Sequence, residues 1–139
     1  MTARAIGTGA LLLAAVSCGG DGVVTNAPPP PTGPTLTSLQ SSIFTPKCAI
    51  PGCHAPPSPQ QGMDLSAGHF YANTVNVDVV ELGGFKRVAP NDAANSYLYM
   101  KVTADPRITG AQMPFGGPYL SAAETASIQA WIDAGALDN

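Results

Sequence analysis

The stretch Cys48-Ala49-Ile50-Pro51-Gly52-Cys53-His54 brings two thiols and an imidazole into seven consecutive residues of a 139-residue chain. Pro51 and Gly52 favour a tight turn between the two cysteines. His54 directly follows Cys53, so the position of its ring depends on the position of the second thiol. The elements on both sides of this segment decide how the three groups are presented.

A short amphipathic helix is predicted immediately before this segment. Leu36, Leu39 and Ile43 recur at helical spacing, and Phe44 lies beside Ile43. Proline cannot continue the hydrogen-bonding pattern of a helix, so this helix is expected to stop at Pro46. The reactive segment therefore begins close to the end of the helix.

Shorter helices and long loops are predicted downstream. Ser66 is a candidate cap for a short helix through Tyr71. The valine-rich stretch 74–82 is expected to be extended or irregular, and residues 91–102 are expected to be helical. Residues 103–119 contain several prolines and glycines and predict a second long loop.

The last helix carries the clearest signals. Ser121-Ala122-Ala123-Glu124 has the pattern of a capping box, in which the hydroxyl and the carboxylate each bind a backbone N–H group. Ile128, Trp131 and Ile132 form an apolar stripe, and Gly135 is expected to end the helix. The expected fold class is all-α, built of short helices and long loops.

The composition excludes several classes of protein. Only 11% of the residues are charged, the net charge is -3, and the six Lys and Arg residues are scattered, so no nucleic acid is expected as a partner. No Ser-His-Asp arrangement, phosphate-binding glycine loop or paired carboxylates indicate an enzyme. Large apolar side chains are sparse in the C-terminal part, so a disulfide, a metal or an embedded cofactor is expected to support the core.

Residues 1–18 are predicted to be an export signal. The apolar run 10–16 is shorter than the roughly 20 residues that span a bilayer. It leads into Ala15-Val16-Ser17-Cys18-Gly19, which resembles a bacterial lipobox. In such signals a peptidase cuts before the cysteine, which then carries the lipid, so Cys18 is the expected lipidation site. An ordinary signal peptide with an incidental Cys18 is the alternative.

The sequence is predicted to consist of three segments. The lipoprotein signal covers residues 1–18, a Gly/Pro-rich tether covers residues 19–35, and the folded domain covers residues 36–139. Lipid on Cys18 would tether the domain to a membrane surface without spanning it. The chain is therefore expected to be exported and lipid-anchored to a bacterial membrane, facing the periplasm or the cell exterior.

Cys48 and Cys53 have three possible fates in an oxidising compartment. They can close a disulfide, bind a metal ion together with His54, or attach a haem. Haem attachment through two thioethers uses a Cys-His pair like Cys53-His54, in which the histidine reaches the iron. The usual attachment motif has two residues between the cysteines, whereas this chain has four.

A haem iron held by His54 would need a ligand on its other face. Methionine is the natural candidate in an electron carrier, and Met63, Met100 and Met113 are available. Met113 lies in the long loop before the last helix and is the favoured ligand. Met100 falls within a predicted helix, and Met63 is close in sequence to the attachment segment.

The order of these features resembles a class I c-type cytochrome, and more specifically the planctomycete-type single-haem cytochrome c domain of exported bacterial proteins. The motifs that carry the resemblance span most of residues 40–136. They are Ile43-Phe44-x-x-x-Cys48, Gly52-Cys53-His54, Gly62-Met63-Asp64-Leu65, Arg87-Val88-x-Pro90, Ser96-Tyr97-Leu98, Met113-Pro114, Leu120-Ser121 and Trp131-Ile132-Asp133-Ala134-Gly135-Ala136.

The resemblance implies a cytochrome c-like fold around one haem c, with the first and last helices crossing beside it. It implies His54 as the proximal and Met113 as the distal ligand of the iron, with Cys48 and Cys53 as the attachment residues. The expected function is electron transfer with redox proteins as partners. A haem-free, disulfide-closed lipoprotein domain that binds a partner is the alternative, and a haem enzyme or sensor with a labile distal ligand is a third possibility.

Overall fold

The computed structural model describes residues 33–139; the predicted export signal, Cys18 and residues 19–32 of the tether lie outside the described residues. Helices are the main regular structure of the described part, which contains isolated bridges but no sheet and is therefore compatible with the all-α prediction. Its helices are α1 (Leu36–Leu39), a π-helical turn (Gln40–Phe44), α2 (Thr45–Lys47), a 3-10 turn (Gln60–Gly62), α3 (Phe70–Thr74), a 3-10 turn (Ala93–Asn95), α4 (Tyr97–Thr103) and α5 (Ala122–Asp133).

The first three of these elements follow one another without a break, so the predicted stop at Pro46 is wrong. A π-helical turn directly precedes α2, and the Thr45 N–H donates to the Gln40 carbonyl five residues back. Pro46 then lies in the first turn of α2, where a missing N–H group costs nothing. The wider π turn lets the helix continue to Lys47, and the reactive segment starts at the next residue.

In the middle of the domain, two helix boundaries differ from those predicted. Ser66 is not a side-chain cap: α3 begins only at Phe70, and the Ser66 carbonyl accepts from the Phe70 N–H at 3.0 Å. The helix predicted over residues 91–102 is two elements. Asp92 caps the 3-10 turn by accepting from the Asn95 N–H, and α4 starts after Ser96.

The last helix forms as predicted. The Ser121 hydroxyl accepts from the Glu124 N–H, and the Glu124 carboxylate accepts from the Ser121 N–H at 2.9 Å. Trp131 is buried in the stripe with its neighbours, and its Nε1 donates to the Leu137 carbonyl at 2.9 Å. Gly135 follows the helix with a φ of 103°, a left-handed value that glycine adopts without strain.

Two polar contacts link the first helical segment, residues 36–47, to the C-terminal part of the chain. The Leu36 N–H donates to the Asn139 side chain at 2.8 Å, and the Lys47 ammonium contacts the Glu124 carboxylate at 2.5 Å. One apolar core lies between the helices. Its buried members are Leu36, Leu39, Ile43, Phe44, Leu65, Phe70, Val88, Ala93, Leu98, Val102, Ile128, Trp131, Ile132 and Ala136.

No helix in residues 33–139 has both the length and the apolar character needed to cross a membrane.

Candidate functional site

A cavity of about 630 Å³ lies beside this core and includes all four residues predicted to bind the cofactor in the folded domain. Its volume falls within the range of roughly 300–1,000 Å³ found for small-molecule and cofactor sites. Cys48, Cys53, His54 and Met113 line it, although Met113 is about sixty residues from the others in the sequence. Apolar side chains make up much of the remaining wall, among them Phe44, Leu65, Val79, Leu98 and Val102.

The four residues between the cysteines form a tight turn. The Cys53 N–H donates to the Ile50 carbonyl at 2.9 Å, and Gly52 has a φ of 84°. A residue with this φ is required at the third position of a type II turn, where proline commonly precedes it. The Cys48 carbonyl also accepts from the His54 N–H at 3.2 Å. The extra residues are thereby looped out while the backbone of Cys48 stays next to that of His54.

Both cysteines of the described chain are free thiols. Burial raises the pKa of Cys48 to about 11, with a smaller opposing effect of Lys47. Cys48 is half-buried against the apolar core, whereas Cys53 is exposed. The first thiol therefore remains protonated at neutral pH in a largely apolar setting, and the second stands at the open side of the cavity.

His54 is held in one tautomer by its neighbour in the next loop. Its Nδ1 lies 3.3 Å from the Met63 carbonyl oxygen. A carbonyl only accepts hydrogen bonds, so Nδ1 carries the proton in this contact. Burial lowers the pKa of His54, which keeps the ring neutral at pH 7. Nε2 therefore retains its lone pair, which is the state in which a histidine binds a metal.

The three methionines considered as ligands occupy different positions. Met113 lines the cavity from the long loop after α4, and its N–H donates to the Lys101 carbonyl at 2.9 Å. Met63 also lines the cavity, but its carbonyl is the group bound by His54. Met100 is buried in the interior and is not part of the cavity wall. Met113 therefore lines the cavity without a hydrogen bond to the His54 side chain, unlike Met63.

Three cations and one tyrosine also line the cavity, and one of the cations, Lys47, is paired with Glu124. Arg87 is 8% exposed, and its guanidinium donates to the Asn73 and Gln61 carbonyls at 2.8 and 2.7 Å. Within residues 33–139 no carboxylate forms an ion pair with this buried arginine. Lys101 and Tyr97 lie on the same wall. A cavity wall with an uncompensated buried cation favours a ligand that carries an anionic group.

Several other aromatic side chains lie away from the cavity. Tyr99 and Tyr119 are outside the cavity wall, and the Tyr99 hydroxyl donates to the Gln129 side chain at 3.1 Å. His69, the second histidine of the sequence, has a side chain 65% exposed. Trp131 is buried in the core and does not line the cavity.

Two further wall residues are not predicted by any sequence pattern. Glu81 comes from the irregular stretch after α3, and its carboxylate lies 3.5 Å from the Lys101 ammonium. Phe115 lines the cavity while remaining 78% exposed. Neither residue belongs to a recognisable motif. The nearest signal to Glu81 is the alternation Val-Asp-Val-Val-Glu at residues 77–81, and it does not specify which side chain faces the cavity.

In the part of the chain that the structure describes, no three His, Cys, Asp or Glu side chains form a group that could hold a metal ion. Comparison with models of known protein families, with curated proteins and with solved structures gave no match.

Proposed function

We propose that this protein transfers electrons by means of one haem c bound in the cavity. The observation that carries the proposal is the convergence of Cys48, Cys53, His54 and Met113 on one apolar cavity. Bound haem supplies an iron that accepts and releases a single electron. The proposal includes a cytochrome c-like arrangement of the helices around the cofactor.

The residues present fit such a group. Cys48 and Cys53 supply the two thiols that thioether attachment requires, and the turn at Gly52 accommodates their longer spacing. Neutral His54, with Nδ1 bound to the Met63 carbonyl, offers Nε2 as a ligand. Met113 offers a thioether from a separate loop.

The cavity wall also suits the rest of the cofactor. The apolar side chains match the porphyrin face, and they exclude water from the neighbourhood of the iron. Arg87 matches the carboxylate groups of a haem, because it is buried and its charge is not paired with a carboxylate in the described chain. Ligation by His54 and Met113 together would leave no open position on the iron, which favours electron transfer over oxygen chemistry.

The predicted export signal and the predicted lipidation of Cys18 suggest where in the cell this function would be carried out. Export would bring the domain to a compartment with haem-attachment enzymes, and lipid on Cys18 would keep it at a membrane surface where it meets redox proteins. Mass analysis of the chain purified from membranes tests this part: a lipid-modified N-terminal peptide beginning at Cys18 is expected, and an unmodified one excludes the anchor.

The central test is production of the full chain in bacteria that carry a c-type haem attachment system. We expect the intact mass to increase by one haem, and the haem absorption to remain with the chain after denaturation. A mass equal to the chain less two hydrogens, with no haem, would instead identify the disulfide-closed domain.

Two matched pairs of variants test the ligands. His54→Ala is expected to lose the native haem spectrum, whereas His69→Ala, at the other and exposed histidine, is expected to keep it. Met113→Ala is expected to keep covalent haem but lose the absorption band of a methionine–iron bond, whereas Met63→Leu keeps that band.

Binding of added imidazole to the iron tests the third possibility. If the unsubstituted protein binds imidazole as readily as Met113→Ala does, the result would favour a haem sensor or enzyme with a labile distal ligand.

A further inference from the structure

Lys101 connects helix α4 to the loop that carries Met113. Its ammonium donates to the Thr109 carbonyl at 2.7 Å and to the Ala111 carbonyl at 3.3 Å. The Glu81 carboxylate lies 3.5 Å from the same nitrogen. The ammonium thus has two hydrogen-bond acceptors in the loop and one ion-pair partner outside it. The Lys101 side chain is only 11% exposed, whereas Thr109 and Ala111 lie at the surface.

The backbone and a neighbouring tyrosine reinforce the connection. The Lys101 carbonyl accepts from the Met113 N–H at 2.9 Å. The Tyr97 ring lies 5.6 Å from the Lys101 ammonium, and the Tyr97 hydroxyl accepts from the Thr109 N–H at 3.0 Å. The contacts of Lys101 and Tyr97 thus fix the loop at residues 109, 111 and 113.

Contacts with α4 matter for this loop because several of its residues are glycines, and proline fixes φ only at positions 106, 114 and 118. Gly110, Gly116 and Gly117 have φ values between 73° and 75°, which glycine reaches easily and leaves easily. The loop also contains no helix or strand between α4 and α5. The contacts of Lys101 and Tyr97 with this loop therefore contribute strongly to the position of the Met113 thioether.

We propose that Lys101 is a positioning residue that holds Met113 in place as the distal ligand. This inference rests on the proposed function, since it assigns Lys101 a role at the same site. Lys101 acts through the loop backbone and does not itself bind the cofactor. Its ammonium already donates to Thr109 and Ala111 and is ion-paired with Glu81, whereas the guanidinium of Arg87 has no carboxylate partner in residues 33–139. In the haem-loaded protein, Met113 held in this way would compete well against added ligands for the iron.

The first part of the test uses the haem-free full chain and compares Lys101→Leu with Lys86→Leu. Both variants remove an ammonium and keep part of the apolar stem, but Lys86 is an exposed residue paired with Asp78. In Lys101→Leu, amide hydrogen exchange in residues 109–117 is expected to be about tenfold faster, from the loss of two charge-assisted hydrogen bonds. Lys86→Leu is expected to leave exchange in this loop unchanged.

The second part uses the haem-loaded proteins and measures the binding of imidazole to the ferric iron. In Lys101→Leu the affinity is expected to rise about tenfold and the methionine–iron absorption band to weaken, because the displaced loop competes less well. Lys101→Arg, which keeps the charge and donors, should recover most of the native behaviour. Equal imidazole affinities in Lys101→Leu and Lys86→Leu would overturn the proposal.

The two parts separate the failure of this inference from failure of the proposed function. A chain that attaches haem but shows unchanged loop exchange in Lys101→Leu retains the proposed function and refutes the role of Lys101. A chain that takes up no haem refutes both, even if the loop exchange is faster. Glu81→Gln serves as a milder variant should Lys101→Leu fail to fold: it removes one ion pair, and a smaller increase of the same sign is expected in both measurements.

Discussion

Gly52 is the residue on which the unusual cysteine spacing depends. Its φ of 84° is strained for any residue with a Cβ, yet a Cβ placed there would meet no atom within 4 Å. The cost of a substitution is therefore conformational and not steric. We expect Gly52→Ala to lower the free energy of unfolding of the haem-free protein by about 1–2 kcal/mol.

Gly83→Ala is the matched control for this change. A Cβ added at Gly83 would also meet open space, but the φ of Gly83 is not in the left-handed region. Urea unfolding of the two variants should therefore differ, with Gly83→Ala close to the unsubstituted protein. An equal loss in both variants would show that the turn at Gly52 is not needed for stability.

The two thiols of the haem-free protein are expected to react at different rates. Burial raises the pKa of Cys48 to about 11, so very little of its reactive thiolate exists at pH 8, whereas Cys53 is exposed. Under iodoacetamide, Cys53 should be labelled first. The Cys48 rate should rise about tenfold for each pH unit between 8 and 10, since the thiolate fraction rises in that proportion below the pKa. Peptide mass analysis over this pH range measures both rates, and equal rates at pH 8 would contradict the prediction.

Sequence patterns identify residues with unusual chemistry better than residues made important by burial. The cysteines, His54 and Met113 could be nominated because few side chains attach haem or ligate its iron. Arg87 occurs in one of the motifs that carry the resemblance, but the burial of its charge against a cavity is a product of the fold that no local pattern specifies. Glu81 likewise matters through its contact with Lys101, twenty residues away in the sequence.

At the scale of elements, the Glu124 carboxylate takes part in two interactions. It completes the capping box of α5 with Ser121, and it pairs with Lys47 at the end of α2. Glu124→Ala should therefore lower the free energy of unfolding by about 1 kcal/mol, the usual contribution of a cap. Lys47→Ala should cost less, roughly 0.2–1 kcal/mol, because it removes only a partly exposed ion pair. Thermal or urea unfolding ranks the variants, and a larger loss for Lys47→Ala would contradict this assignment.

The contribution of Glu124 is also expected to depend on pH. Hydrogen bonds from Lys47 and Ser121 lower the pKa of Glu124 below its ordinary value of 4.5. The carboxylate therefore contributes stability above pH 4.5, and this stability is lost as the pH falls through the lowered value of the folded state. The stability difference between the unsubstituted protein and Glu124→Gln should shrink over the same range. A difference that is constant from pH 6 to pH 3 would contradict this.

The success of the helix predictions followed the strength of the local signals. The capping box, the apolar stripe and Gly135 all act within one helix, so the sequence specifies α5 well. The stop at Pro46 was wrong because a π-helical turn changes the register just before it, and such a turn has no clear sequence signature. Ser66 has the chemistry of a cap, but its neighbours form a turn before α3 begins.

At the scale of the whole molecule, the apolar core and the cavity are one continuous structure. Four core side chains line the space of about 630 Å³ that lies beside the core: Phe44, Leu65, Leu98 and Val102. Phe44 lines this space and also stacks on Phe70, with ring centroids 4.2 Å apart. Phe70 in turn packs edge-on against Trp131, with the ring centroids 6.0 Å apart. A group bound in the cavity would therefore be continuous with the centre of the core.

This continuity leads to an expected difference in stability between the haem-loaded and haem-free proteins. A bound group that buries the apolar wall and is ligated by His54 and Met113 stabilises only the folded state. A contribution of ~2 kcal/mol would raise the midpoint of thermal unfolding by roughly 8–16 °C in a domain of this size. Met113→Ala loaded with haem should fall between the two forms, because it keeps the apolar contacts and loses one iron ligand. Thermal unfolding followed by circular dichroism measures all three forms. Equal midpoints would mean that the attached group lies outside the cavity, since a haem buried against Phe44 and the helix core cannot leave the stability of that core unchanged.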